Sequence, residues 1–325
     1  MTDLPTAIRT VRWMVRDTFR QSLASKLFWV MLGITGLCVV FCLGTSVSAT
    51  PPPRHPDELP FYMPKGQGDP EIREAQGRVS LGFGLFSFPI AKSKEHSVRQ
   101  LHIWLAGVLA DTVGVLLALL WTAGFMPTFL EPQSVSVLLA KPVSRWSLLL
   151  GKYLGVVIFV ALHAFLFVAG TWVALGIGTG VWDGAYLLAV PMLVLNFAVF
   201  YSFSTFLAVV SRSTVVAVFG TLVFWVLCWA MNDTRHRLVG FTPPGNTATA
   251  SALVEVGYWV LPKPLDMSGV FFDVMGAEAY SMPVQEFEAV KSRGQFFPEF
   301  SILASMLFAG AILAIATYEL RKTDY

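Results

Sequence analysis

The sequence predicts an all-α, polytopic membrane protein with six transmembrane helices. Of its 325 residues 55% are apolar and only 14% are charged, against about 25% charged in an average soluble domain. The mean hydropathy is +0.62, and the apolar residues fall into runs long enough to cross a hydrocarbon core of about 30 Å. The gaps between these runs are polar or turn-forming, as expected for loops between transmembrane helices. The composition and this pattern together argue against a water-soluble globule.

The apolar runs define the spans. They cover about 27–49, 103–126, 148–175, 185–210, 214–231 and 300–318. Two long segments, 50–100 and 232–298, follow the first and fifth spans. In the second of these segments Thr247 to Leu261 is helix-compatible but too short to span, so a half-helix dipping back into the membrane is an option. The predicted organisation is therefore a six-span domain over 27–325, preceded by a separate segment, 1–26.

The segment 1–26 has the pattern of an amphipathic helix. Apolar residues recur every three or four positions, and arginines form a neighbouring stripe with the same period. The stripe consists of Arg9, Arg12, Arg16 and Arg20. We expect this helix to lie in the headgroup layer, where arginines meet anionic lipid. The alternative is an ordinary cytoplasmic helix that extends the first span.

The distribution of basic residues predicts the orientation. Eleven Lys and Arg residues lie in the N-terminal tail, the gaps after the second and fourth spans, and the C-terminus, whereas the short loop 176–184 has none. Short loops rich in Lys and Arg stay in the cytoplasm. We therefore expect both termini to be cytoplasmic, in the plasma (inner) membrane, with 50–100 and 232–298 outside.

No catalytic or nucleotide-binding motif is evident. Gly151-Lys152 resembles the end of a phosphate-binding loop, but Trp146 and Tyr153 stand where that loop needs Gly and Ser or Thr. The five His and three Cys lack metal-ligand spacing. The net charge of +2 is too small to indicate nucleic acid. We expect no enzyme activity, no cofactor, no metal and no nucleic-acid partner.

Among the ionisable residues within predicted spans, two are candidates for a function, Asp111 and His163. Such residues are functional candidates because burying a charge in lipid is costly. Asp111 lies near one end of the second span, where it could be half solvated, and His163 lies near the middle of the third. For each residue two readings stay open, a structural role in helix packing and a place on a translocation path.

The most informative stretch is the loop between the second and third spans. Pro132 can start a short helix and Pro142 prevents its continuation, while Glu131 complements the helix dipole. This helix would carry Leu138 and Leu139, and no other part of the chain is expected to bury these two side chains. Either a partner groove buries these leucines or they dip into lipid.

This loop resembles that of type-2 ABC exporter permeases. The matching residues are Glu131, Ser134, Leu138, Leu139, Pro142, Ser144, Arg145, Gly151 and Lys152. The family more often has Gly-Thr where this chain has Gln133-Ser134, a conservative departure at the start of the helix. The layout of a basic amphipathic helix followed by six spans is also similar.

The resemblance implies a role. The chain would be the permease subunit of an ATP-binding-cassette exporter, working as a homodimer or heterodimer with two copies of a separate ATPase subunit. The loop from Glu131 to Lys152 would be the coupling element that docks on the ATPase, and bond chemistry would belong to that partner. The alternative function is a non-transporting membrane anchor or assembly subunit of an envelope complex. An ion-driven carrier is disfavoured because the spans lack paired charges.

Overall fold

The computed structural model describes residues 4–49, 77–90, 94–131, 144–240, 248–277 and 285–322. Within these ranges six helices are long and apolar enough to cross a membrane. They are α2 (Lys26–Leu43), α3 (Lys94–Phe129), α4 (Arg145–Thr179), α5 (Ala189–Ser211, preceded by a 3₁₀ turn Gly184–Leu188), α6 (Thr214–Gly240) and α10 (Pro298–Lys322). The prediction of an all-α protein with six spans is confirmed.

Four further helices complete the described helical part of the chain. They are α1 (Leu4–Ala24), α7 (Ala248–Val260), α8 (Pro264–Val274) and α9 (Gln285–Ser292). Helix α1 stops at Ser25, whose backbone is extended, with φ −74° and ψ 128°. Helix α2 begins at Lys26, directly after this break, so the segment 1–26 and the first span are two separate helices.

The first span is shorter than predicted. Helix α2 ends at Leu43 because the chain turns at Gly44. The Gly44 N–H donates to the carbonyl of Val40, and the Thr45 N–H donates to that of Cys42. The carbonyl of Gly44 in turn accepts from the N–H of Phe83, at 2.8 Å. A Cβ at Gly44 would lie 2.5 Å from that same nitrogen, so glycine permits this close approach.

A small sheet, which the sequence pattern did not predict, follows α2. Its strands are β1 (Ser46–Ala49), β2 (Gly77–Leu81) and β3 (Phe86–Ile90), paired antiparallel in the order β1-β2-β3. The turn between β2 and β3 has positive φ at Gly82, Phe83 and Gly84, and glycine at two of these positions makes it possible. Strand β1 contacts α3 and α4, and the sheet is the only strand structure in the described ranges.

Helix α3 contains a long π-helical segment, Ile103–Gly114. A π-helix is rare and usually short. The π-helical segment is packed closely in the bundle. Gly107 lies against the ring of Phe272 with no room for a Cβ. The segment also carries Asp111, which therefore sits on an irregular part of the backbone.

Helix α5 is the centre of the bundle. Its most apolar stretch is 61% buried, whereas those of α2, α6 and α10 are 17% buried. It packs on α4, α6 and α10, and α1 packs along the first half of α4. The two ends of the bundle are named here by the arginines that lie there, the Arg145 end and the Arg99 end.

Helix α8 is inserted into the bundle at the Arg99 end. Pro264 begins the helix at its first position, where a missing N–H costs nothing. Its buried residues, among them Asp266 and Met267, contact α3, α5, α6 and α10. The preceding α7 confirms that Thr247 to Leu261 is largely helical. Part of the predicted loop segment 232–298 is thus part of the core.

Candidate functional site

The predicted coupling loop lies mostly outside the described residues. Ser134, Leu138, Leu139 and Pro142 fall in the undescribed range 132–143. Glu131, just before this range, is exposed, and Ser144, just after it, precedes α4. The structure therefore shows what the loop is attached to.

Arg145 attaches the loop to the last helix. Its Nη1 donates to the backbone carbonyls of Leu320 and Arg321, at 3.0 and 3.1 Å. These carbonyls belong to the last turn of α10, which has no helical partners for them, and a cation there also complements the helix dipole. The start of α4 and the end of α10 are thus tied together directly.

Lys152 attaches the same region to the first helix. The residue is 1% exposed, and its Nζ donates to Oε1 of Gln21 at 2.5 Å and lies 3.6 Å from Oδ2 of Asp17, both on α1. The ammonium also lies 5.8 Å from the ring centre of Phe129, at the end of α3. Because a buried ammonium needs partners, this contact holds α1, α3 and α4 in one arrangement.

Two glycines let α1 approach α4 closely. A Cβ at Gly155 would lie 2.7 Å from Oγ1 of Thr18, and one at Gly151 would lie 3.0 Å from Cβ of Met14. Gly151-Lys152 therefore serves helix packing. We call Arg145, Gly151, Lys152 and Gly155 with their partners on α1 and α10 the loop junction.

The arginine stripe of α1 points away from the bundle. Arg9, Arg12, Arg16 and Arg20 are all exposed. The face that packs on α4 is composed of small and medium-sized residues, namely Ala7, Thr10, Met14, Thr18 and Ser22. Of the predicted apolar stripe, Ile8 and Leu23 remain exposed, and Trp13 is exposed beside them. Helix α1 thus packs one face on α4 and presents its arginines, with Ile8, Trp13 and Leu23, on the exposed surface.

Asp111 is buried, so the expectation that it is half solvated is wrong. Its Oδ1 accepts from Nδ2 of Asn196 at 2.7 Å, and its Oδ2 accepts from Oγ of Ser268 at 2.5 Å. These partners lie on α5 and α8, which the π-helical part of α3 brings beside Asp111. The geometry is that of a polar contact joining three helices.

His163 is half-buried between α4 and α2. Its Nε2 lies 3.2 Å from Oγ1 of Thr35. It lines a cavity of about 150 Å³ whose other walls are almost entirely apolar. The structure does not bring His163 together with Asp111 in that cavity's lining, so the two predicted intramembrane residues belong to separate sites.

A second buried carboxylate, Asp266 on α8, was missed by sequence reasoning. Four side chains converge on its two oxygens. The donors are Nε2 of His236 (2.8 Å), Nδ2 of Asn232 (2.9 Å), the hydroxyl of Tyr258 (2.5 Å) and the hydroxyl of Ser301 (2.6 Å). Burial alone would raise the pKa of Asp266, but the hydrogen bond and charge of His236, with the two hydroxyls, lower it to about 2. We call these five residues the Asp266 cluster.

Two cations surround the Asp266 cluster. Arg235 stacks on the Tyr258 ring, with its Cζ 4.3 Å from the ring centre, and Lys263 Nζ lies 4.8 Å from the same centre. Burial lowers the pKa of Lys263 to about 8, against the opposing effect of Asp266. The available sequence signal was weak: Asn232 and His236 share a helical face, and Ser301 opens the sixth span, but nothing local pairs them with Asp266.

Comparisons with known proteins give the family. The family model described as ABC-2 family transporter protein matches residues 13–234, which include most of α1, all of α2 to α5 and most of α6. No curated protein matches the chain. The match covers more than half of the sequence and contains the α1 and α4 residues of the loop junction, whereas the α10 residues of the junction and Asp266 lie beyond it. The chain therefore belongs to the ABC-2 family of transporter proteins and is a permease subunit of an ABC transporter.

Proposed function

We propose that this permease subunit acts in export and that it is driven by a separate ATPase, with two ATPase copies for each pair of permeases. The observation that carries the proposal is the loop junction. Residues that resemble the coupling loop of the exporter permeases continue directly into Arg145 and Lys152, which contact α10 and α1. A displacement of the loop would therefore reach three helices at once.

The junction supports mechanical coupling because Lys152 is buried and its hydrogen bond to Gln21 is short. The Lys152 ammonium cannot leave its site without losing this bond and its contact with Asp17, and no room for a Cβ remains between Gly155 of α4 and Thr18 of α1. Packed interfaces of this kind transmit a shift as a rigid body instead of absorbing it. ATP-driven closure of the partner would thus tilt α1 and α4 together.

We propose that the protein lies in the plasma membrane and that the Arg145 end of the bundle faces the cytoplasm. The support is the excess of Lys and Arg at that end. The exposed arginines of α1 and the neighbouring exposed Trp13 suit a headgroup layer with anionic lipid. Large exposed apolar residues along α2, α6 and α10 leave room for a second permease beside lipid.

For Asp111 we propose a role in helix packing. Both of its oxygens are already bonded to Asn196 and Ser268, and a satisfied buried carboxylate holds three helices without needing a substrate. His163 is treated below with the cavity that it lines.

The test is docking of the ATPase. Replacing both Leu138 and Leu139 with Asp should abolish co-purification of the ATPase from mild detergent while leaving membrane insertion intact, since a docking groove that buries leucine rejects a charge. The matched control places the same two charges on the polar positions Gln133 and Ser136 of the same loop. Retained ATPase in the leucine variant, or equal loss in both variants, would refute docking through these leucines. An intact complex without transport would instead support the anchor or assembly role.

A further inference from the structure

An apolar cavity lies between α2, α3, α4 and α5. Its volume is about 150 Å³, and its walls include Met31 and Cys38 of α2, Leu109 of α3, Ala164 of α4 and Leu193 of α5. Apolar cavities of about this size stay dry and accept apolar guests. The lining is thus chemically suited to hydrocarbon.

The cavity opens on the perimeter of the bundle. Four of its lining residues, Ile34, Leu109, Val113 and Leu117, are between 39% and 48% exposed. All four lie within helices that are long and apolar enough to cross a membrane. The opening therefore meets lipid chains and not water.

The two polar side chains in the lining are paired with each other. Oγ1 of Thr35 lies 3.2 Å from Nε2 of His163, Nδ1 of His163 has no hydrogen-bond partner in the described part of the chain, and no charged residue lines the cavity. A charged or strongly polar guest would lose its own hydrogen bonds there. An alkyl chain would lose nothing and would gain the dispersion contacts that an empty space forfeits.

The cavity also replaces a direct helix contact. Helix α2 packs mainly on α4 and makes few contacts with α3, although both line the cavity. Since lipid tails are as apolar as the walls, binding here depends on filling space between helices and not on leaving water.

We propose that this cavity is a binding site for one acyl chain of a membrane lipid, held between α2, α3 and α4 beside the Thr35–His163 pair. The chain completes the packing of α2 against α3. This site does not depend on ATPase coupling, so it stands or falls separately from the proposed function.

The test uses a phospholipid with a diazirine in its acyl chain, reconstituted with the full-length protein in nanodiscs. After illumination, adducts mapped by mass spectrometry should concentrate on Met31, Cys38 and His163. The variant Ala164→Phe fills the cavity and should reduce these adducts by about tenfold or more, because the void and its contacts are gone. The control Leu162→Phe lies on the same helix, is exposed and does not line the cavity, and should leave the adducts unchanged.

A second pair of variants fills the cavity from the opposite wall. Cys38→Leu should reduce the adducts on Met31 and His163, whereas Val40→Leu, exposed and outside the lining, should not. Equal adducts all round the bundle, or adducts that persist in both filled variants, would mean surface lipid only and would overturn the proposal. A second result would also overturn the proposal. In a variant that lacks Cys42 and Cys228, absence of the cavity adducts together with rapid disulfide formation between the Cys38 residues of two copies would show that a second copy covers the opening.

Discussion

The Asp266 cluster gives the sharpest prediction about what holds α8 in the bundle. The change is Asp266→Asn, which keeps the shape of the side chain and removes its charge. Four donors reach the two oxygens of Asp266, but an amide has only one acceptor oxygen. The Tyr258 hydroxyl can turn to Ser301, 3.1 Å away, but at least one donor loses its acceptor, at about 1–3 kcal/mol for a buried unsatisfied group. We expect the free energy of unfolding to fall by about 1–3 kcal/mol.

The assay is equilibrium unfolding in mixed micelles, followed by tryptophan fluorescence. The matched control is Asp273→Asn on the same helix, whose carboxylate pairs with Lys291 at 2.7 Å with both side chains partly exposed. Partly exposed pairs contribute about 0–1 kcal/mol, so this variant should stay close to the unmodified protein. If the two variants lose the same small amount, the Asp266 cluster does not hold α8 and the reasoning is wrong.

The pH dependence of the same protein checks the charge of Asp266. Its pKa is lowered from the usual 3.8 to about 2 in the folded state, so the ionised form stabilises the fold at pH above about 4. That stability, about 2 kcal/mol at 1.36 kcal/mol per pH unit, is lost as pH falls from about 4 through about 2. The Asp266→Asn variant should lack this acid-sensitive part, and an identical acid profile in both proteins would contradict the assignment.

Three further predictions address other contacts. Gly155→Ala should cost about 1–3 kcal/mol by overpacking against Thr18, whereas Gly33→Ala, with nothing within 4 Å, should gain about 0.5–1 kcal/mol; thermal melts that shift in the same direction would disprove this. Asp111→Ala should lower the unfolding free energy by about 1–3 kcal/mol, since Nδ2 of Asn196 loses its buried acceptor while Ser268 keeps its bond to the carbonyl of Pro264. Asp111→Asn should keep transport if the role is packing; lost transport with intact folding would favour the path reading. Burial lowers the pKa of Lys263 from 10.5 to about 8, so the folded state loses its proton first and stability should rise between about pH 8 and 10.5; Lys263→Met should abolish that rise.

The helical spans were predictable because their signal is local. An apolar run of about twenty residues identifies a transmembrane helix whatever its neighbours are, and the six runs each correspond to a helix of the structure. The family resemblance could also be identified from the sequence, since the loop residues from Glu131 to Lys152 are close together in the chain. The boundaries were less predictable: α2 ends at Leu43 because Gly44 meets Phe83, a contact between distant segments.

The partners of individual polar residues were not predictable. Asp111 stands out in the sequence as a carboxylate within an apolar run, but its partners Asn196 and Ser268 lie 85 and 157 residues away. Composition says nothing about such pairs. The sequence pattern around Asp266 predicts a loop because α8 is short and carries polar residues. The Asp266 carboxylate can be buried only because donors from α6, α7 and α10 converge on it.

The sequence by itself determined that the chain crosses a membrane six times and which family it resembles, because hydrophobic runs and contiguous motifs are read along the backbone. Tertiary structure alone decided that Lys152 ties α1 to α4, that Asp266 is buried and satisfied, and that an apolar cavity lies beside His163. The physical reason is that hydrogen bonds, close glycine contacts and voids depend on distances between helices, and these distances exist only once the helices have packed.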